Sequence, residues 1–147
     1  MREYATQMEA ARKGIITPEM KIVAKKEYRT EEEIREWVAK GQVAICANRL
    51  HTCIDPNGVG SMLRTKINVN LGVSRDCKDY DVEMKKVQAA VDMGAEAIMD
   101  LSSHGNTQPF RRKLTSECTA MIGTVPVYDS VIHYQRDLAT LTAKAFI

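Results

Sequence analysis

The chain has few aromatic residues, little net charge and no long apolar run, and each shortage removes a class of function. Aromatics make up 5% of the 147 residues, too few and too scattered for the stacking platform that single-stranded nucleic acid requires. The formal net charge is +2 and the basic residues are dispersed, so neither nucleic acid nor an anionic membrane is expected as a partner. No apolar stretch approaches the roughly 18 residues of a spanning helix. The start, Met1-Arg2-Glu3-Tyr4-Ala5, is charged where a signal peptide would be apolar. A cytoplasmic location is the expectation.

Cysteine is sparse as well. Cys46, Cys53, Cys77 and Cys118 form no C-x-x-C pair, so neither a disulfide framework nor a redox motif is indicated. Cys46, His51 and Cys53 offer ligands that zinc accepts, yet structural zinc sites usually show two close pairs. Small buried thiols are expected instead, and no metal ligand is assigned. The sequence also lacks a Walker A loop, G-x-G-x-x-G, H-E-x-x-H and G-x-S-x-G.

What is present is an ordinary globular composition, with 44% hydrophobic and 27% charged residues. Residues 3–13 carry Tyr4, Met8 and Ala11 at helical spacing, and Gly14 ends that segment. Thr17-Pro18-Glu19 is a start signal for a second helix running to about Tyr28. Thr30 with Glu33 makes a capping box for a third, whose apolar stripe is Ile34, Trp37 and Val38. Gly41 closes it. From Gln42 the period changes. Val43–Ala47 reads as a buried strand, Asn48–Gly60 as a loop, and Lys66–Leu71 as an alternating strand. An amphipathic helix over 79–93 ends at Gly94, and Ala95–Leu101 reads as a strand. A weaker helix over 107–117 is interrupted near its start by Pro109. Met121–Val127 supplies a fourth strand, and the chain is helical from Tyr128 onward.

Strands alternating with helices imply parallel pairing and an α/β fold. The expected organisation is an N-terminal helical segment over 1–41, followed over 42–147 by a parallel strand-and-helix region. That order fits a small open sheet and the first half of a (β/α)₈ barrel equally well, whereas a complete barrel takes about 250 residues.

Chemistry is most visible at Lys66-Ile67-Asn68-Val69-Asn70-Leu71-Gly72. Alternation puts Lys66, Asn68 and Asn70 on one face, either a polar edge in water or a cavity whose amides bind a small ligand. Two further strands run into polar groups: Asp100, Ser102, Ser103 and His104 after one, Thr124 and Tyr128 after the other. Ligands of α/β sheets gather at such carboxyl ends. Asp100 and His104 are also the residues to consider as a base and an acid.

Four ordered segments resemble phosphomethylpyrimidine synthases. Ala11-Arg12-Lys13-Gly14-Ile15-Ile16-Thr17-Pro18-Glu19-Met20 is similar to the family's A-R-x-G-I-I-T-P-E-M. Lys66–Gly72 is similar to K-V-N-A-N-I-G, Gly94–Ser102 to G-A-D-T-V-M-D-L-S, and Gly123–Tyr128 to G-T-V-P-I-Y. The resemblance implies a partial (β/α)₈-type barrel with parallel strands. It implies a radical carbon–carbon lyase of thiamine biosynthesis that converts 5-aminoimidazole ribotide to hydroxymethylpyrimidine phosphate. Asn70, Met99 and Tyr128 match that family's substrate contacts, which shifts the reading of the Asn70 face toward a cavity.

The family uses a [4Fe–4S] cluster, S-adenosylmethionine and a divalent metal such as zinc. Its cluster motif C-x-x-C-x-x-x-x-C, its later histidines and its S-R-G and D-G-L-R segments have no counterpart in these residues. The expectation is therefore the N-terminal third of such an enzyme, inactive alone, that self-associates or pairs with the rest of the barrel. Arg49 and Leu50 depart from the family's A-N-I-N-H. The resemblance extends to 5-hydroxybenzimidazole synthase of cobamide synthesis, and a non-catalytic ribotide-binding or assembly module is the alternative from another class.

Overall fold

The computed structural model describes residues 3–145, and the chain divides into two compact units, residues 1–66 and 67–147. In the first unit the capping signals at Thr17 and Thr30 act as the sequence implies, whereas the first helix is shorter than expected and leaves Tyr4 outside it. α1 (Gln7–Arg12) starts at Thr6, whose hydroxyl accepts from the Glu9 N–H. α2 (Pro18–Glu27) starts at Thr17, which accepts from the Met20 N–H at 3.1 Å and donates to Gln7 Oε1 at 2.6 Å. α3 (Glu31–Ala39) opens on the full Thr30–Glu33 capping box. These contacts satisfy amides that helix geometry leaves without intrahelical partners. Met20, Val23, Ile34, Val38, Val43 and Ile45 form the core of this unit, and burying each such side chain contributes about 1.5–3 kcal/mol.

β1 (Val43–Cys46) does not lead a parallel sheet. It pairs antiparallel with β2 (Asn57–Gly60), Val43 opposite Gly60 and Cys46 opposite Asn57. The segment Asn57-Gly58-Val59-Gly60 looks like a loop because of its glycines, but the glycines serve close packing. A Cβ at Gly58 would lie 2.6 Å from Leu63 Cδ1 and 2.9 Å from Val23 Cγ1. β1 is only half buried, with Val43 and Ile45 inward and Ala44 and Cys46 exposed. The expectation of buried thiols holds for Cys118 alone, since Cys46 and Cys77 are exposed and Cys53 is intermediate.

Lys66 also departs from expectation. It precedes the strand, and its ammonium pairs with Glu27 at the end of α2, both side chains being almost fully buried (6% and 1% exposed). Glu27 also accepts from the Arg64 N–H at 2.8 Å.

The second unit is a three-stranded parallel sheet in the order β3 (Asn68–Leu71), β4 (Ala97–Asp100), β5 (Met121–Thr124). α4 (Tyr80–Asp92) and α5 (Gln108–Glu117) supply the crossovers, as the alternation predicts. Pro109 does not interrupt α5. It lies in the first turn, where proline costs no hydrogen bond. β5 stops at Thr124, and Pro126 opens α6 (Pro126–Tyr134), so the expected strand to Val127 is three residues too long. Two short 3₁₀ turns, Leu138–Thr140 and Ala143–Ala145, follow. The helix expected from Tyr128 onward thus stops at Tyr134, where Gln135 turns left-handed (φ 51°), and its expected last residues, 146 and 147, lie outside the described residues.

One face of this sheet is covered: Leu71, Ile98, Val87, Ala90, Phe110 and Leu114 form its core, and Tyr80 stacks on Phe110 with ring centroids 5.0 Å apart. No helix among the described residues is long and apolar enough to cross a membrane.

Candidate functional site

The site is built by the pleat of β3 and β4. The parallel register places Asn70 beside Met99 and Met99 beside Gly123, while Leu71, Asp100 and Thr124 form the next row. Successive residues point to opposite faces, so Asn68, Asn70, Ala97, Met99 and Gly123 share the face away from the helix-packed core. Asn68 and Asn70 are exposed there, and Asn68 Nδ2 donates to Asn70 Oδ1 at 2.9 Å. The result is a strip of amide donors and acceptors suited to a polar ligand.

Met99 lies across Gly123. A Cβ built on that glycine would stand 2.8 Å from Met99 Cε and 2.9 Å from Sδ. A glycine inside a strand marks such a close approach, a signal present in the sequence that points to a residue not counted among the candidates. Gly123→Ala is expected to push the thioether tip aside while changing stability by less than about 1.5 kcal/mol, since methionine readily re-packs. Urea denaturation reads the stability, and the ¹³C-methyl resonance of Met99 reads the displacement.

Tyr128 lies in the first turn of α6, within the stretch expected to be helical. Its N–H donates to the Val125 carbonyl at 3.0 Å, and the residue is 42% exposed. Asn70 and Met99 are thus strand neighbours, and Tyr128 follows the carboxyl end of the adjoining strand.

Asp100 belongs to the opposite face and is not an exposed base. It is fully buried, accepts from the Ser102 N–H at 2.9 Å and from Arg111 Nε at 2.8 Å. His104 lies in the loop beyond. Burial, reinforced by the Asp100 charge, pushes the Tyr80 phenol above its ordinary value. Burial disfavours the Arg111 charge, yet Asp129 and Asp100 outweigh it and hold the guanidinium's pKa above its ordinary value. The strand ends are fastened by residues that periodicity alone does not single out: Glu83 Oε2 accepts from the Gly72 N–H at 2.9 Å, and Ser102 Oγ from the Val73 N–H at 3.1 Å.

In the first unit, a recess of about 410 Å³ is lined by Tyr4, Met8, Val38, Val43, Ile45 and Arg49, among others, and includes none of Asn70, Met99 and Tyr128. Arg49 reaches the Tyr4 carbonyl at 3.4 Å and Leu50 is exposed, so both departures from the family segment lie at the surface of that unit.

Residues 6–147 match the radical SAM ThiC family. The chain belongs to this family. A phosphomethylpyrimidine synthase of Alkaliphilus oremlandii is 59% identical over 145 residues, which is 99% of this chain and 33% of that protein. A phosphomethylpyrimidine synthase of Clostridium botulinum is 55% identical over 144 residues, 98% of this chain and 33% of that protein. The chain therefore spans about a third of the length of the curated relatives it matches.

Radical SAM chemistry uses an iron–sulfur cluster, and the residues present do not fit one. Among the described residues no group of three or more His, Cys, Asp or Glu converges to hold a metal ion, and thiolate ligation of a [4Fe–4S] cluster needs several cysteines at one point. No step of the cluster chemistry is assigned to these residues.

Proposed function

We propose that this chain supplies the 5-aminoimidazole ribotide-binding strand ends of a radical S-adenosylmethionine phosphomethylpyrimidine synthase, the lyase that forms hydroxymethylpyrimidine phosphate. The carrying observation is the register that sets Asn70 beside Met99 on the exposed face of a parallel sheet, with Tyr128 just past the end of β5. In this reading Asn70 hydrogen-bonds the polar substrate, Met99 packs on its ring, and the Tyr128 hydroxyl donates to a phosphate or ribose oxygen. β3, β4 and β5 are consecutive strands of a (β/α)₈-type barrel preceded by the N-terminal helices, and the Asn70 face lines its interior. The outer edges of β3 and β5 then recruit further barrel strands or a second copy, as unpaired strand edges do. The protein acts in the cytoplasm.

The test is calorimetric titration of the chain with 5-aminoimidazole ribotide. Saturable binding is expected, weakened roughly tenfold or more by Asn70→Ala, the size of one lost hydrogen bond to a buried ligand. Absence of binding by the unaltered chain, or binding indifferent to Asn70, overturns the assignment.

A further inference from the structure

Arg111 joins the two ends of the proposed site. Its Nε donates to Asp100 Oδ2 at 2.8 Å, and its Nη1 pairs with Asp129 Oδ2. Asp100 directly follows Met99 on β4, and Asp129 directly follows Tyr128 on α6. Thr107, at the start of α5, donates to the other oxygen of Asp129 at 2.9 Å. One guanidinium on α5 therefore fixes a strand end and a helix turn that the covalent chain connects only through α5 and β5.

Stability alone is a poor reason for this arrangement. Asp100 is completely buried, and the remaining amine of Arg111, Nη2, is buried without a hydrogen-bond partner among the described residues. Apolar residues of similar volume often replace buried ion pairs at no loss of stability. What they cannot reproduce is the planar fork, which sets two carboxylates at fixed angles and distances. The cost of the buried charge is matched by a geometric constraint, and that constraint falls on the neighbours of Met99 and Tyr128.

We propose that Arg111 is a positioning residue for the strand-end site, clamping Asp100 and Asp129 so that Met99 and Tyr128 keep one fixed separation; this rests on the ribotide-binding reading above. Arg111 touches no substrate in this scheme and acts through the two aspartates.

The experiment uses the full chain carrying 3-fluorotyrosine, with the ¹⁹F resonance of Tyr128 assigned by Tyr128→Phe and those of Tyr4 and Tyr28 serving as internal references. Arg111→Met keeps the volume and removes the fork, and Arg111→Lys keeps the charge and removes the planar bridge between the two carboxylates. Both are expected to shift or broaden the Tyr128 resonance while leaving Tyr4 and Tyr28 in place, and to weaken ribotide binding roughly tenfold, a coupling of ordinary size for a side-chain network. Asp100→Asn, which loosens the clamp at its far end, is expected to move the same resonance and gives the reading if the Arg111 variants fail to fold. An unmoved Tyr128 resonance in a folded variant overturns the proposal. Should the unaltered chain bind no ribotide, the functional assignment falls, while the fluorine spectra still decide whether Arg111 sets the position of Tyr128.

Discussion

Glu27→Ala is expected to destabilise the chain by roughly 3–5 kcal/mol, because it leaves the Lys66 ammonium buried without its counter-charge. The Lys66 side chain is 6% exposed, so it has little access to water in exchange. The Arg64 N–H loses its acceptor in the same variant. A loss of this size is a large part of the stability of a typical domain, and the urea midpoint measures it. Replacing Glu27 and Lys66 together by leucine is expected to recover most of the loss, since the desolvation cost of both ions then disappears.

The pH dependence has a defined sign. Burial is the strongest influence on Glu27 and opposes ionisation, but Lys66 and Arg64 outweigh it and hold the carboxyl below the ordinary carboxylate value. A lowered folded-state value means that the unfolded chain binds the proton more readily. The pair's contribution is therefore complete above the ordinary carboxylate value and is lost as pH falls through the lower folded one. Glu27→Gln should flatten that acid-side decline, and an unchanged decline would mean that other carboxylates carry it.

Local signals made the helices legible. Thr17-Pro18 and the Thr30–Glu33 box specify helix starts through contacts three residues apart, and the structure forms both. Alternation from Lys66 to Leu71 located β3 and assigned Asn68 and Asn70 to one face. Long-range pairing was not legible in the same way. β2 is hidden because Gly58 and Gly60 resemble loop residues until Val23, Val43 and Leu63 are packed against them. Lys66 fits the alternation of its neighbours, yet its partner Glu27 lies on another element, and periodicity carries no information about that contact. Asp100 is conspicuous in an apolar strand, which suggested chemistry. Its pairing with Arg111 makes it a fastening of the strand end, and only the packing of α5 on the sheet distinguishes these roles. Tyr128 is helical, as expected from the sequence, but its helix begins two residues earlier, because Pro126 both ends the extended segment and starts α6.

Gly72→Ala is expected to cost about 3 kcal/mol or more and to open the seam beside the candidate site. Gly72 has φ +137°, and a Cβ there would stand 2.5 Å from the Ser102 backbone nitrogen and 2.9 Å from the Leu101 carbonyl carbon. A non-glycine residue in such a conformation costs about 1–3 kcal/mol on its own. The atoms in the way are backbone, which cannot rotate aside as the tip of Met99 can. Gly72 also donates to Glu83, and Val73 beyond it exchanges hydrogen bonds with Ser102 and Ser103. Forcing the chains apart at Gly72 therefore disturbs the carboxyl ends of β3 and β4 together, two residues beyond Asn70. Gly94→Ala is the control: φ is +89° there, but nothing lies within 4 Å of the added carbon. Its cost isolates the backbone conformation, about 1–2 kcal/mol for a left-handed residue. The difference between the two urea midpoints then measures the close approach of β3 to the chain leaving β4. Equal losses in the two variants would refute that contact and leave the strand ends free to separate.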